Sequence, residues 1–423
     1  MRKAQTFAGL VVLSACFVGA VPARADVVSD WNAQILLYSN IGNATLVPPI
    51  PVGRPGPPGL LDIALAHLAI HDAVQAIERE FQPYFYSDRR KFGVGSSAAA
   101  VAAAAHKMLV LLYPGQQTRL DTFYTDYLTA NLIDPLDPGI AVGEAAALAL
   151  HTHHYRPNDI PFVPFIGEVA TGKWRTPPTQ PMAFQILTVT EPFTLKRASQ
   201  FRPEPPPSLR SLKYALEFDE VKKLGNAAAH PNATTDQARF WSVNFGAQWN
   251  ETMRQLASKK QLSIGDSARM FALANVAAAD AAIAAWETKI FYNFWRPSTA
   301  IHEGDDDHNR RTQGDVTWAA LFGADPLYPD YVSGANSLTG AFTGTLRLLF
   351  GDRESFSVKS SSPLTGTPER FFTSFSQAAE EVVNARILLG IHFRSADEDG
   401  RRLGNRVAHW VFHKYLEPRH GRW

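Results

Sequence analysis

Cysteine is almost missing from this chain of 423 residues: the only one is Cys16. Everything downstream of it can hold neither a disulfide nor a thiolate-ligated zinc, so packing must stabilise the fold and oxygen or nitrogen donors must bind any ligand. An excess of charge of either sign is missing too, with 41 Lys+Arg against 40 Asp+Glu, which leaves no electrostatic case for nucleic acid or for an anionic membrane surface. After Val21 no second long apolar run stands out, and the mature chain is expected to carry no transmembrane span. Runs of strictly alternating apolar and polar residues are also missing, which argues against a sheet.

What is present begins with a basic start (Arg2, Lys3), an apolar stretch from Phe7 to Val21, and then Ala23-Arg24-Ala25. That order predicts a signal peptide over residues 1–25, cleaved before Asp26, and an exported protein, periplasmic or secreted. "LSAC" (Leu13 to Cys16) also fits a lipoprotein box with Cys16 acylated, although the apolar stretch continues past Cys16. Cleavage would remove Arg2, Lys3 and Arg24 and no acidic residue, tipping the balance slightly acidic.

Apolar residues recur with a helical period over Leu60 to Glu78, Ala98 to Tyr113, Gln117 to Asn131, Ile140 to His154, Leu212 to Leu224, Thr235 to Ser258, Ser263 to Trp295, Ser337 to Phe350, Ser374 to Ile391 and Glu398 to Tyr415. Ser263 with Asp266, and Ser374 with Gln377, stand at capping-box spacing. The expected fold is all-α, a set of helical bundles. Two Pro-rich stretches lack this periodicity, "LVPPIPVGRPGPPG" (Leu46 to Gly59) and the region from Pro157 to Pro207, and both read as extended connectors over the surface. The expected organisation is therefore an N-terminal helical half over 26–156, a connector over 157–211, and a C-terminal helical half over 212–423. A homo-oligomer is compatible with this composition.

Three separated segments carry the chemistry. In "KIFYNFWRP", Lys289 and Arg296 are seven residues apart, about two helical turns, so on one helix both cations would reach one anion; the plainer reading is a solvated basic face. Pro297 should stop that helix, and Phe291, Phe294 and Trp295 should bury the turn. In "YVSGANSLTGAFT", Ser333-Gly334 precede a helix, whose free amides and positive dipole end suit an oxyanion; an ordinary capped turn would look the same. In "ARILLGIHFRSADEDG", a break near Gly390 would let buried Arg386 and His392 face one point, although a lone His is usually a structural residue.

Together, Lys-x6-Arg-Pro, Ser-Gly before a helix, and Arg-x5-His resemble the three-part signature of vanadium-dependent haloperoxidases and type 2 phosphatidic acid phosphatases. The resemblance extends to "QFRPEPPPSLRS", "ARFWS" and most of residues 190 to 415, and it favours the soluble bacterial haloperoxidase-like branch. It implies an all-α fold and a bound vanadate, with hydrogen peroxide and a halide or small organic molecule as substrates. Lys289, Arg296 and Arg386 match the family's cationic oxyanion ligands, Ser333 and the Gly334 amide its hydrogen-bond donors, and His392 the axial vanadium ligand. In the phosphatase branch that last histidine is the nucleophile. The two uses are neighbours because pentacoordinate vanadate resembles the transition state of phosphoryl transfer.

One position departs from the pattern. The family reads Ser-Gly-His, whereas this chain has Ala335 where the acid-base histidine is expected. Asn336 can donate a hydrogen bond but cannot titrate, and His302, Asp330 and Asp397 are candidates for the missing proton carrier. Three readings follow: a haloperoxidase-like enzyme impaired at Ala335, an acid phosphatase using His392, or a catalytically degenerate oxyanion-binding protein. His67 and His71, one helical turn apart, lack an evident third metal ligand and read as helix packing; "EGDDDHN" (Glu303 to Asn309) lacks EF-hand spacing and reads as an acidic loop. The histidines of "HTHHYR" suit a helix C-terminus.

Overall fold

A computed structural model describes residues 26–419, apart from 43, 47, 88–93, 177–178 and 229–231. The expected leader over 1–25, with Cys16, lies outside the described residues. Among these, the helices are α1 (Val27–Leu36), α2 (Gly59–Ile77), α3 (Ser97–Leu112), α4 (Gln117–Ala130), α5 (Pro138–His154), α6 (Leu212–Leu224), α7 (Asn232–Phe240), α8 (Phe245–Lys260), α9 (Ile264–Tyr292), α10 (Pro297–His302), α11 (Gly334–Phe350), α12 (Phe375–Leu388) and α13 (Arg394–Lys414). The fold is all-α, as the periodicity predicts. The exception is an antiparallel hairpin, β1 (Phe356–Lys359) and β2 (Glu369–Phe372), too short for alternation to register in the sequence.

The axis of the fold is α9, buried without interruption from Ser267 to Trp286. Its alanines let α2, α11 and α13 pack closely on different sides, and a helix enclosed all round must be apolar all round. This corrects the expectation that no long apolar run remains after the leader. By length and composition α2 and α9 are both long and apolar enough to cross a membrane, yet both are buried inside the protein. One apolar core joins Trp31 of α1 through Phe271 of α9 to Val407 and Val411 of α13.

Several boundaries move. The expected helix Thr235 to Ser258 is two helices, because Asn244 leaves the helical conformation and its side chain caps α8 by accepting from the Ala247 amide at 3.2 Å. The helix expected to run to Trp295 ends at Asn293, in the left-handed region at φ 48°, and Pro297 starts α10 instead of stopping α9. The region from Pro157 to Pro207 does not simply lie over the surface. Trp174, Met182, Leu187, Phe193 and Leu195 are buried, and buried Asp280 of α9 accepts the amides of Phe193 at 2.7 Å and Thr194 at 2.8 Å. A carboxylate in the middle of an apolar helix thus anchors the strap that crosses it, a tertiary contact that periodicity does not report.

Candidate oxyanion site

The site forms where the end of α9, the N-terminus of α11 and the turn between α12 and α13 meet. Lys289 sits on the last turn of α9, fully buried, and its ammonium donates to the carbonyls of Pro329 at 2.7 Å and Asp330 at 3.1 Å. Arg296 lies past the helix end, so the two cations are not on one helical face as spacing suggested; the turn at Asn293 redirects the chain and brings them together another way. Arg296 Nε donates to Tyr328 O at 2.9 Å and Nη1 to Ile391 O at 2.6 Å. The Tyr328 ring lies against both, 4.9 Å from Lys289 Nζ and 4.8 Å from the Arg296 guanidinium carbon. Phe294 and Trp295 are buried here as expected, whereas Phe291 is exposed and covered by the Arg202 guanidinium at 3.5 Å.

The second segment enters as a capped helix start. Ser333 precedes α11 and its side chain accepts from the Asn336 amide. Gly334 is required by close approach: a Cβ there would stand 2.8 Å from the Trp286 ring. Trp286 can therefore lie against the first turn of α11. Asn336 and Asp397 hold this turn from behind, with Asn336 Nδ2 donating to Asp397 Oδ1 at 2.7 Å.

The third segment breaks where the sequence predicts. The α-helix α12 ends at Leu388, and Gly390 adopts φ +76°, where a Cβ would meet the Gly225 carbonyl at 2.6 Å. The reversal places buried His392 beside Arg296, with Nη1 3.3 Å from Nε2. His392 Nδ1 is paired with Asp330 Oδ1 at 2.7 Å. Arg386, buried on α12, lines a cavity together with Gly334 and Ala335. The structure therefore brings Lys289, Arg296, Ser333, Gly334, Ala335, Arg386 and His392 into one neighbourhood.

Burial and mutual repulsion govern the charges. Desolvation, then Arg296, holds the Lys289 ammonium well below its ordinary pKa, with Arg386 adding to the effect. Desolvation, then Arg296, Lys289 and Arg386, holds His392 well below its ordinary value, so the ring is neutral. Burial pushes Asp330 up against the pull of Arg296 and Lys289, and pushes Asp397 up to about 7 against its Ser333 hydrogen bond and Arg386. Two buried guanidinium nitrogens, Arg296 Nη2 and Arg386 Nε, have no hydrogen-bond partner among the described residues. Buried cationic donors without acceptors are costly, and an anion between them would satisfy both.

Of the three candidate proton carriers, Asp330 and Asp397 belong to this neighbourhood, whereas His302 is exposed and pairs with the Trp318 carbonyl at 2.8 Å. The pairing of Asp330 with the imidazole was not legible from sequence, because 62 residues separate them. The other motifs have structural partners. His67 meets Asn32 Nδ2 at 2.8 Å and stacks on Phe271, and His71 meets the Gln82 carbonyl at 3.0 Å. In the acidic loop, Asp307 accepts from the Asn309 amide and the Thr312 hydroxyl, both at 2.8 Å.

The family model described as the VCPO second helical-bundle domain matches residues 269–421, the stretch that holds all three segments. The chain is 25% identical over 417 residues to the vanadium chloroperoxidase of Curvularia inaequalis, covering 78% of this chain and 68% of that protein. The fold is shared with a bacterial vanadium-dependent iodoperoxidase (TM-score 0.68, 23% identity, 93% of this chain and 96% of that one). It is shared also with the holo form of a bacterial vanadium-dependent chloroperoxidase (TM-score 0.64, 16% identity, 84% and 92%). The matched domain, the curated relative and the shared fold together support a place in the superfamily of vanadium-dependent haloperoxidases and type 2 phosphatidic acid phosphatases.

Proposed function

We propose that this protein binds vanadate and works as a haloperoxidase-like enzyme, using hydrogen peroxide to oxidise a halide or a small organic molecule. The observation that carries the reading is the gathering of Lys289, Arg296 and Arg386 around a neutral His392 at the head of α11. The vanadium dependence in the relatives' names supports the choice of anion. The residues fit such a group: unpartnered Arg296 Nη2 and Arg386 Nε offer N–H donors, and two of the three Lys289 donors are in use, leaving one. Ser333 and the Gly334 amide would complete the cradle, and a ring nitrogen of His392 would ligate the vanadium.

Bound there, vanadate supplies an electrophilic centre at which hydrogen peroxide is activated. The chain's own residues orient and balance charge. Asp330 accepts a hydrogen bond from the Nδ1–H of neutral His392, which leaves the lone pair on Nε2. Lys289, Arg296 and Arg386, all buried, would hold the anion's negative oxygens where little water screens the charges. Ala335 can move no proton. Asp397, raised to about 7 and hydrogen-bonded to Ser333, is placed to exchange one at the Ser333 hydroxyl.

The Asp330–His392 pair also favours a second reading, an acid phosphatase in which Nε2 attacks phosphorus. Orthovanadate titration followed by assays of bromide oxidation and p-nitrophenyl phosphate hydrolysis separates the two. Peroxide-dependent bromide oxidation that needs vanadate supports the first; hydrolysis inhibited by vanadate supports the second. Tight vanadate binding with neither turnover would leave an oxyanion-binding protein. The leader reading places the protein outside the cytoplasm, and a mature chain isolated from that compartment and beginning at Asp26 is the expected result.

A further inference from the structure

The oxyanion site opens on one side into a cavity of about 360 Å³. Its walls come from both parts of the chain, including Leu60, Phe245, Trp286, Tyr328 and Leu338. Arg386 is the one charged side chain among its described lining residues, and it stands at the end where Gly334 and Ala335 also line the space. A free halide finds cationic donors only at that end. The rest of the volume offers apolar surface and aromatic faces interrupted by Ser242 and Asn244, the features of a pocket for an organic molecule oriented by a few polar groups.

Ala335 has a specific part in this geometry. It stands on the first turn of α11 and lines the cavity. A larger side chain at that position would take up space between the cations and the apolar walls. The methyl group keeps the two parts continuous.

We propose that the cavity is a substrate subsite for an aromatic group, and that Ala335 opens the oxyanion site to an organic substrate whose ring packs against Trp286, Phe245 and Tyr328. The substrate class is a small neutral-bodied molecule with one aromatic ring next to its reacting atom. Size supports a ring system: an apolar cavity of about 150 Å³ suffices for benzene, so the space here takes a substituted ring with room for its attachment. The wall chemistry favours a ring over a flexible chain, because ring-to-ring contacts add to area burial and a ring loses less conformational freedom on binding. Trp286 is held in place by donation from its indole N–H to the Ala183 carbonyl at 2.9 Å, so the wall is preformed.

This inference rests on the oxyanion reading of the site, and the test separates the two. Inorganic phosphate, methylphosphonate, phenylphosphonate and hexylphosphonate are titrated into the full mature chain by calorimetry, the anionic head probing the cations and the substituent probing the cavity. Phenylphosphonate is expected to bind about tenfold or more tightly than methylphosphonate and more tightly than hexylphosphonate. Ala335→Leu and Val243→Trp, at two positions that line the cavity, should each remove that increment while phosphate still binds. If phosphate binds but the phenyl and methyl compounds are equal, or hexyl exceeds phenyl, the aromatic subsite is refuted alone. Failure of phosphate itself to bind overturns the oxyanion reading and the subsite with it.

Discussion

Replacing Asp330 by asparagine separates two effects that the buried carboxyl exerts. Asp330 Oδ1 lies 2.7 Å from His392 Nδ1 and 3.9 Å from Arg296 Nη1. Toward the histidine it fixes the ring and raises the basicity of Nε2, and losing such a supporting partner typically costs about 10–100-fold in the affinity of a ligand held through the other nitrogen. Toward Arg296 its ionised form competes with the incoming anion: opposite full charges about 4 Å apart attract by about 4 kcal/mol at an effective dielectric of about 20, an upper bound here because burial favours the neutral carboxyl. The two effects have opposite signs, and two tetrahedral ions divide them. Orthovanadate, held through Nε2, should bind Asp330→Asn about 10–100-fold more weakly than wild type. Inorganic phosphate, held by charge and hydrogen bonds alone, should bind at least as tightly, because Arg296 has lost its competitor. Calorimetric titration of both ions, with circular dichroism confirming the fold, reads the two affinities directly. A parallel fall in both, or no change in vanadate affinity, would refute the assignment of Asp330 to the histidine.

Other outcomes follow from the same geometry. Ala335→His is expected to raise whichever turnover the protein has, by up to about 10²–10⁴, measured as bromide oxidation or p-nitrophenyl phosphate hydrolysis; no gain in a folded variant counts against the proton-relay account of this turn. Asp397, raised from 3.8 to about 7 by burial, binds its proton more tightly folded than unfolded. Its contribution to stability is therefore present at low pH and lost as pH rises through about 7, at about 1.4 kcal/mol per pH unit where the two states differ fully. Urea melts should show Asp397→Asn gaining on wild type between pH 5 and pH 7, with the difference flat above pH 8. Gly390→Ala should destabilise by about 1–2 kcal/mol from the left-handed backbone alone, with the clash at the Gly225 carbonyl adding to it. Because that turn carries His392, vanadate affinity should fall with it.

The correspondence between sequence and site was closest where chemistry depends on residue type and chain direction. Ser333-Gly334 had to sit at a helix start, and the break at Gly390 had to follow Arg386, because capping and left-handed turns are local properties. Where the reading failed, the cause was nonlocal. The seven-residue spacing of Lys289 and Arg296 brought the right pair together for the wrong reason, since Asn293 ends the helix between them. Phe291 was expected to be buried with its aromatic neighbours and instead lies exposed under Arg202. The apolar character of α2 and α9 reflects complete enclosure, which no window along the chain can distinguish from other apolar surroundings.

By itself, then, the amino-acid order determined that the chain is helical, that no thiol acts downstream of Cys16, and that three segments carry cations, a capped turn and an imidazole. Helix periods, caps and glycine turns depend on interactions within a few residues, so they can be read one segment at a time. Tertiary structure alone decided that Asp330 orients His392, that Asp397 stands behind Ser333, that His302 pairs with a backbone carbonyl instead, and that a cavity with aromatic walls adjoins Ala335. Those relations join residues tens or hundreds of positions apart, and they exist only once burial of the α9 core has fixed which faces meet.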